Sequence, residues 1–433
     1  MSTEGESAQD VQSALSVLPP TRPCLSGHLD RIAGVRLPGK PPSSLWDVSI
    51  QEGRISSIDP HDGNKSGFRN VATETVHGST FDGFDRLLAP SLCHAHVHLD
   101  KCFLLQDRKY SDLQIESGDF REAMELTEKA KARFDQDDLL RRGRTLIEES
   151  IYHGVTAMRA FVEVDGGVQF ECVLAGLKLK AEYRDLCDIQ LCAFAQLPLF
   201  SREDEGEQVR KLMKVAATME GIDVLGSTPY VEEDAAKQEA NLHWISSLAL
   251  ANGKHLDLHL DYFLEEHKHP LIWLALETIQ GYKWIENQGK HITLGHCTRL
   301  TRFNDEEWTA LRQSIGNLPR HGLEAAIAIN NVGNAFTPQG NCDPLSIASL
   351  EVGIYQAGTK QDTEILYEAV SNRARTAIGC ESTPLGLPIG EPADFVLFNR
   401  LSDGRCRKSI SEVVYDAGPI RATIRRGRWT GKT

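Results

Sequence analysis

LLAPSLCHAHVHLDKC, residues 87–102, decides how the rest of the chain is read. Leu87 to Cys93 is an apolar run of strand length. It leads directly into histidines at alternate positions, His94, His96 and His98. Residues two apart on an extended strand point to the same side, so two of these imidazoles can bind one metal ion without any fold-back of the chain. On this stretch alone, a strand end with solvated histidines explains the pattern equally well. Asp100 and Lys101 follow at once, and the pair is expected to form an ion pair on the rim; the alternative is that Lys101 binds an anionic substrate or becomes a carbamylated bridge.

Downstream, apolar runs of strand length alternate with segments of helical period. Strands are expected at 87–93, 155–164, 188–197, 222–231, 255–262, 291–297 and 324–330. Helices are expected at 119–134, 136–154 and about 168–184. Repeated strand–helix units build a parallel sheet. Over residues 84–384 they predict an α/β fold, a (β/α)8 TIM-like barrel, whose active site lies at the C-terminal ends of the strands. His96 and His98 end the first strand, His259 the fifth and His296 the sixth, so all four are expected on one rim around a single ion. His94, His153, His255 and His291 do not share that placement and are read as structural or surface residues. The span 298–322 carries one helix, DEEWTALRQSI, and is too short for two further units of roughly 30 residues each. The seventh strand is therefore expected to be missing, or shortened to a few residues near Ile315–Leu318. Irregular closure and a shortened chain both fit.

The chain ends have a different texture. Residues 1–25, rich in Ser, Glu, Gln and Pro, are expected to be disordered. Short strand signals fill 26–83, including a hairpin turning at Glu52-Gly53. The region 385–433 offers ADFVLFN, VVYDAGPI and RATIRRGRW as three more strands. Together they predict a small β-sandwich domain built from both termini. The net charge of −14 argues against a nucleic-acid partner, which requires a basic footprint. The basic run Arg421–Arg428 reads as a solvated strand face. No apolar stretch is long enough to span a membrane, and the acidic start does not resemble a secretory signal. Ten scattered cysteines without CxxC pairs suit reduced thiols and a cytoplasmic location. A homo-oligomer is allowed.

HVHLD at 96–100, DLHLD at 257–261, TLGHC at 293–297 and GEPADFVLF at 390–398 resemble the metal-dependent amidohydrolase superfamily, in particular its cytosine deaminase-like branch. The likeness extends from about residue 28 and includes AMRAFVEVD (157–165) and CAFAQLPLF (192–200). It implies a hydrolase or deaminase that cleaves a C–N bond of a cyclic amide, amidine or aminoheterocycle, a small-molecule substrate. It also implies one divalent ion, Zn2+ or Fe2+, held by His96, His98 and His259, with His296 orienting the attacking water and Gln196 binding the heterocycle. Such an ion makes water a nucleophile near neutral pH.

Two positions depart from that pattern. Where the branch carries a proton-shuttling Glu, three residues after the fifth-strand histidine, this chain has Tyr262. Asp261, Glu265 or Glu266 can take that role only if the loop folds back, and Asp261 is the candidate. Where an eighth-strand Asp is expected, the chain has Asn330, an uncharged and weaker ligand that is read as substrate-binding. A degenerate relative that keeps only scaffold and pocket is the alternative reading.

Overall fold

The computed structural model describes residues 23–62, 76–77, 79–201, 204, 206–284, 289–316, 324–401, 403–418 and 421–432. Most of the segment expected to be disordered, residues 1–22, lies outside these. Pro23 already opens the strand Pro23–His28.

Six strands form one parallel sheet in which chain order is also spatial order: β1 (Leu92–His98), β2 (Val155–Glu163), β3 (Asp188–Ala195), β4 (Ile222–Ser227), β5 (His255–Leu260) and β6 (Ile292–His296). Every residue of β1 and β2 is buried, because helices cover one face and the barrel interior the other. The covering helices start where the sequence supplies a side-chain cap. Asp119, Asp135 and Asp234 each accept the N–H three residues on, ahead of the helices Phe120–Lys131, Gln136–Tyr152 and Ala235–Ala251.

Eight strands are expected, and the described residues form six. Residues 324–330 run beside β1 but touch it at a single parallel bridge, Val97 to Asn330. There the His98 N–H donates to the Asn330 carbonyl at 2.9 Å and the Asn330 N–H to the His96 carbonyl at 3.2 Å. One bridge aligns the segment without making it a strand, and the sheet is nearly closed. The expected short strand near Ile315–Leu318 begins instead as the last turn of the helix Asp305–Gly316. The acidic residues Asp305, Glu306 and Glu307 favour that helix at its positive end, and the Asn304 side chain accepts the Glu307 N–H at 2.8 Å. Residues 317–323 lie outside the described residues.

The run Leu87–Cys93 is two strands, not one. Leu87–Pro90 pairs antiparallel with Phe395–Phe398, whereas Leu92 begins the barrel. The change of partner takes one residue: the Ser91 N–H donates to the Asp394 carbonyl and the Leu92 N–H to the Gly154 carbonyl. Leu87–Pro90 belongs to a five-stranded antiparallel sheet that also holds Pro23–His28, Arg421–Arg425 and Arg428–Lys432. A second five-stranded sheet holds Arg31–Val35, Trp46–Gln51, Arg54–Pro60, Val76–His77 and Thr80–Asp82. Its hairpin turns at Glu52 and Gly53 with φ of 52° and 73°, the left-handed pair such a two-residue turn requires. Ile32, Val48 and Phe81 of this sheet share one core with Leu88, Phe395 and Ile424 of the other. Both ends of the chain therefore pack together.

Two further expectations are corrected here. VVYDAGPI is not a strand: Ile410–Tyr415 is a short helix. The Ser409 side chain caps it by accepting the Glu412 N–H, and the Glu412 carboxylate accepts the Lys408 N–H at 2.9 Å. The basic run is not a solvated face either. Arg421 and Arg425 are buried, paired with Asp343 and Asp188, and fasten the terminal hairpin to the barrel.

Inside the barrel, the guanidinium of Arg159 on β2 lies 2.8 Å from the Asp257 carboxylate on β5 and 2.5 Å from Thr293 Oγ1 on β6; it also bonds Gln190 on β3. Both charges are fully buried. Removing one partner strands the other charge, which typically costs about 3–5 kcal/mol, whereas replacing both with apolar groups is often nearly neutral. Arg159→Ala is expected to lower unfolding stability by about that amount in denaturant titrations. The double change Arg159→Met with Asp257→Leu is expected to recover most of it.

Candidate active site at the barrel mouth

β1, β5 and β6 end on one rim, and their histidines meet there. Ring centroids lie 4.4 Å apart for His96 and His259, 4.7 Å for His259 and His296, and 5.2 Å for His96 and His296. Potential ligand atoms of these three fall within 4.8 Å of one another. His98 stands beside them, its ring 5.3 Å from that of His96 and 5.4 Å from that of His259. All four expected histidines thus converge. The tightest group pairs His96 and His259 with His296, which was expected to orient water, rather than with His98.

Local sequence explains the closeness. His259 is in register with Gly295 on β6, where an added Cβ would stand 3.2 Å from the His96 ring. The absent side chain leaves room for the imidazole. Beneath, His96 stacks on Phe161 and the His259 ring lies 4.2 Å from that of Phe194, so the barrel interior supports the cluster with aromatic rings.

The imidazoles are starved of partners. His96 Nε2, His98 Nδ1 and His259 Nε2 are buried and make no hydrogen bond. Burial, followed by repulsion from neighbouring imidazoles and cationic side chains, holds the pKa of each well below its ordinary value. His296 is pushed down to about 4 by burial and then by Lys101. Neutral imidazoles with free lone pairs are the donor set that borderline divalent ions take, so the residues present fit a metal ion.

The other candidates divide. Gln196 lines the site, its Oε1 3.4 Å from Lys101 Nζ. Asn330 lines it too and bonds His96 through its side chain. His296 and Asn330 have φ of 63° and 59°, the strained backbone that accumulates at functional sites. Asp261 is turned away. Its carboxylate accepts the N–H groups of Leu271 and Ile272 at the start of the helix Ile272–Gly281, so it serves as a helix cap rather than a proton shuttle. Tyr262, by contrast, faces the site with its ring 4.7 Å from that of His296.

Lys101 is no rim residue. It is 1% exposed and pairs with Glu163 at the end of β2. Lys131 pairs with Glu163 and with Asp165, and the Asp100 carboxylate accepts the Glu163 N–H at 2.7 Å. Burial works to raise the Glu163 pKa, and the ammonium groups of Lys101 and Lys131 more than offset it. The sequence carried a hint of this network in the alternating acids of VEVD, 162–165, but both lysines reach them from far along the chain. The aromatic cover was missed as well. Phe120 lies 5.8 Å from both Tyr262 and Phe336, and Tyr230 completes the group. Among the described residues lining the histidine compartment there is no carboxylate.

No family model matches the chain. It is 24% identical over 381 residues to N-isopropylammelide isopropyl amidohydrolase of Pseudomonas sp. (strain ADP), spanning 83% of this chain and 88% of that one. Its fold is similar to 5-methylcytosine deaminase of Klebsiella pneumoniae liganded with 5-fluorocytosine, with a TM-score of 0.74 and 20% identity over 93% of this chain and 97% of the other. N-isopropylammelide isopropylaminohydrolase of Burkholderia multivorans gives 0.71 and 21% over 92% and 97%. An adenosine deaminase of Xanthomonas campestris with bound zinc gives 0.58 and 14% over 92% and 91%. The chain thus shares the fold of these amidohydrolases and deaminases, with its own histidines gathered at the barrel mouth.

Proposed function

We propose that the protein is a metal-dependent hydrolase of the cytosine deaminase-like branch that cleaves a C–N bond in a cyclic amide, amidine or aminoheterocycle. The observation that carries this is the cluster of four histidines from three strand ends, three of them buried with unpartnered nitrogens. His96, His98 and His259 would hold one divalent ion, Zn2+ or Fe2+, with His296 completing the group beside the attacking water. When bound, that ion supplies Lewis-acid activation of water and of the electrophilic carbon.

The chain's own residues supply the remainder. Gln196 hydrogen-bonds the heterocycle, its amide oxygen facing Lys101, so that its NH2 is left to donate to the ring. Asn330 steadies His96. Phe120, Tyr230, Tyr262 and Phe336 offer faces for a flat ring and exclude water from the reacting bond. With no carboxylate in the described lining, the hydroxyl of Tyr262 is the hydrogen-bond donor beside His296 that assists departure of the nitrogen. The nine cysteines whose side chains are described are all free, which suits a reducing compartment and is in keeping with a cytoplasmic enzyme. Among the described residues, no helix is long and apolar enough to cross a membrane.

The decisive assay offers cytosine and ammelide to the purified protein. Chelation is expected to abolish turnover, and Zn2+ or Fe2+ to restore it. His259→Ala is expected to lose stoichiometric metal and about 10³-fold in kcat/KM, the scale of several kcal/mol of lost stabilisation. Retention of both would overturn the metal assignment. Gly295→Ala, which crowds His96, is expected to weaken metal affinity by on the order of tenfold, read by competition with a chelating dye. Tyr262→Phe is expected to lower kcat with little change in KM, and Tyr262→Glu to retain turnover. If Tyr262→Phe leaves kcat unchanged, the proton passes through another group.

A further inference from the structure

Next to the histidine compartment, and sharing Lys101, Gln196 and Phe336 with it, lies an open cavity of about 830 Å³. Drug-sized ligands fill pockets of roughly 300–1,000 Å³, so this space exceeds the needs of a bare six-membered ring. One wall is the helix Phe120–Lys131. Met124 is three and four residues before Thr127 and Glu128, and Lys131 is four and three after them, so the four line the cavity from one helical face.

The polar groups lining the cavity are unequally satisfied. Lys131 is committed to Glu163 and Asp165, and Lys101 to Glu163, so these two ammonium groups offset two carboxylates. Asp204 accepts the N–H groups of Gly206 and Gln208. Glu128 adds a carboxylate that no lysine of the described lining matches. Its neighbour in sequence, Thr127, is 6% exposed and its Oγ1 has no hydrogen-bond partner. Met124 and Val209 supply apolar surface on the way. An anionic group here would meet uncompensated carboxylates, and a purely alkyl group would leave the Thr127 hydroxyl without a partner.

Resting on the hydrolase reading, we infer that the substrate is a heterocycle bearing a short chain that ends in a cation. The ring lies at the histidines, the methylene chain runs past Met124, and the ammonium donates to Thr127 Oγ1 and the Glu128 carboxylate.

The test compares three compounds on the metal-loaded protein: cytosine, cytosine with a 3-aminopropyl chain on a ring atom, and cytosine with the isosteric butyl chain. Binding is measured by calorimetry and turnover by product release. The aminopropyl compound is expected to bind on the order of tenfold more tightly than the butyl compound. Glu128→Gln and Thr127→Val are each expected to bring that ratio towards one and to leave cytosine itself unaffected. Equal binding of the two chains, preference for butyl, or binding of none of the three overturns the inference. Because the ratio is read from binding, it holds or fails independently of turnover. Turnover of bare cytosine without discrimination sinks the inference alone, and discrimination without hydrolysis sinks the hydrolase reading alone.

Discussion

The structure depends on imidazoles being held where water cannot satisfy them. A buried nitrogen without a hydrogen-bond partner costs on the order of 1–3 kcal/mol, and three such atoms lie within one cluster. Nothing in the surrounding aromatic shell of Phe161 and Phe194 can return that energy by hydrogen bonding. A divalent cation can, because it takes the lone pairs directly. Seen this way the barrel is a device for setting three strand ends at a fixed separation, and the sandwich of chain termini keeps the first of those strands in place. Leu87–Pro90 is paired into the outer sheet, and β1 begins two residues later. Loosening of the outer sheet should therefore be felt at His96.

The second constraint is charge. Two of the buried ionic assemblies bear on the site: Arg159 with Asp257 within the barrel, and Lys101, Lys131, Glu163 and Asp165 beside the histidines. The first crosses β2, β3, β5 and β6 and fixes how they sit together. The second fixes Gln196 and shapes the adjoining cavity. Buried pairs of this kind add little net stability, but each one penalises any arrangement that separates its members.

Much of this was legible in the sequence, because the relevant signals are local. Alternate histidines at the end of an apolar run, and again in DLHLD and TLGHC, mark strand ends whatever the remainder does. What was hidden depends on partners distant in sequence. Leu87–Cys93 is apolar throughout, and periodicity cannot show that one amide turns to the Asp394 carbonyl and the next to that of Gly154. Asp261 looked available for proton transfer, yet its carboxylate is taken by amides ten and eleven residues later. Arg421 and Arg425 read as solvated until Asp343 and Asp188 are brought to them. VVY has strand-forming residues, but the caps at Ser409 and Glu412 and the packing of Val413 and Val414 select a helix. The closing segment 324–330 has a strand's composition and makes a single bridge.

The central claim is that one cation sits among the strand-end histidines. The most direct measurement is anomalous X-ray scattering from crystals of the purified protein, collected above and below the zinc and iron absorption edges. A single strong peak within coordinating distance of His96 and His259, and of at least one of His98 and His296, is the predicted result. Well-ordered histidines with no anomalous peak between them, in protein reconstituted with either metal, would contradict the account.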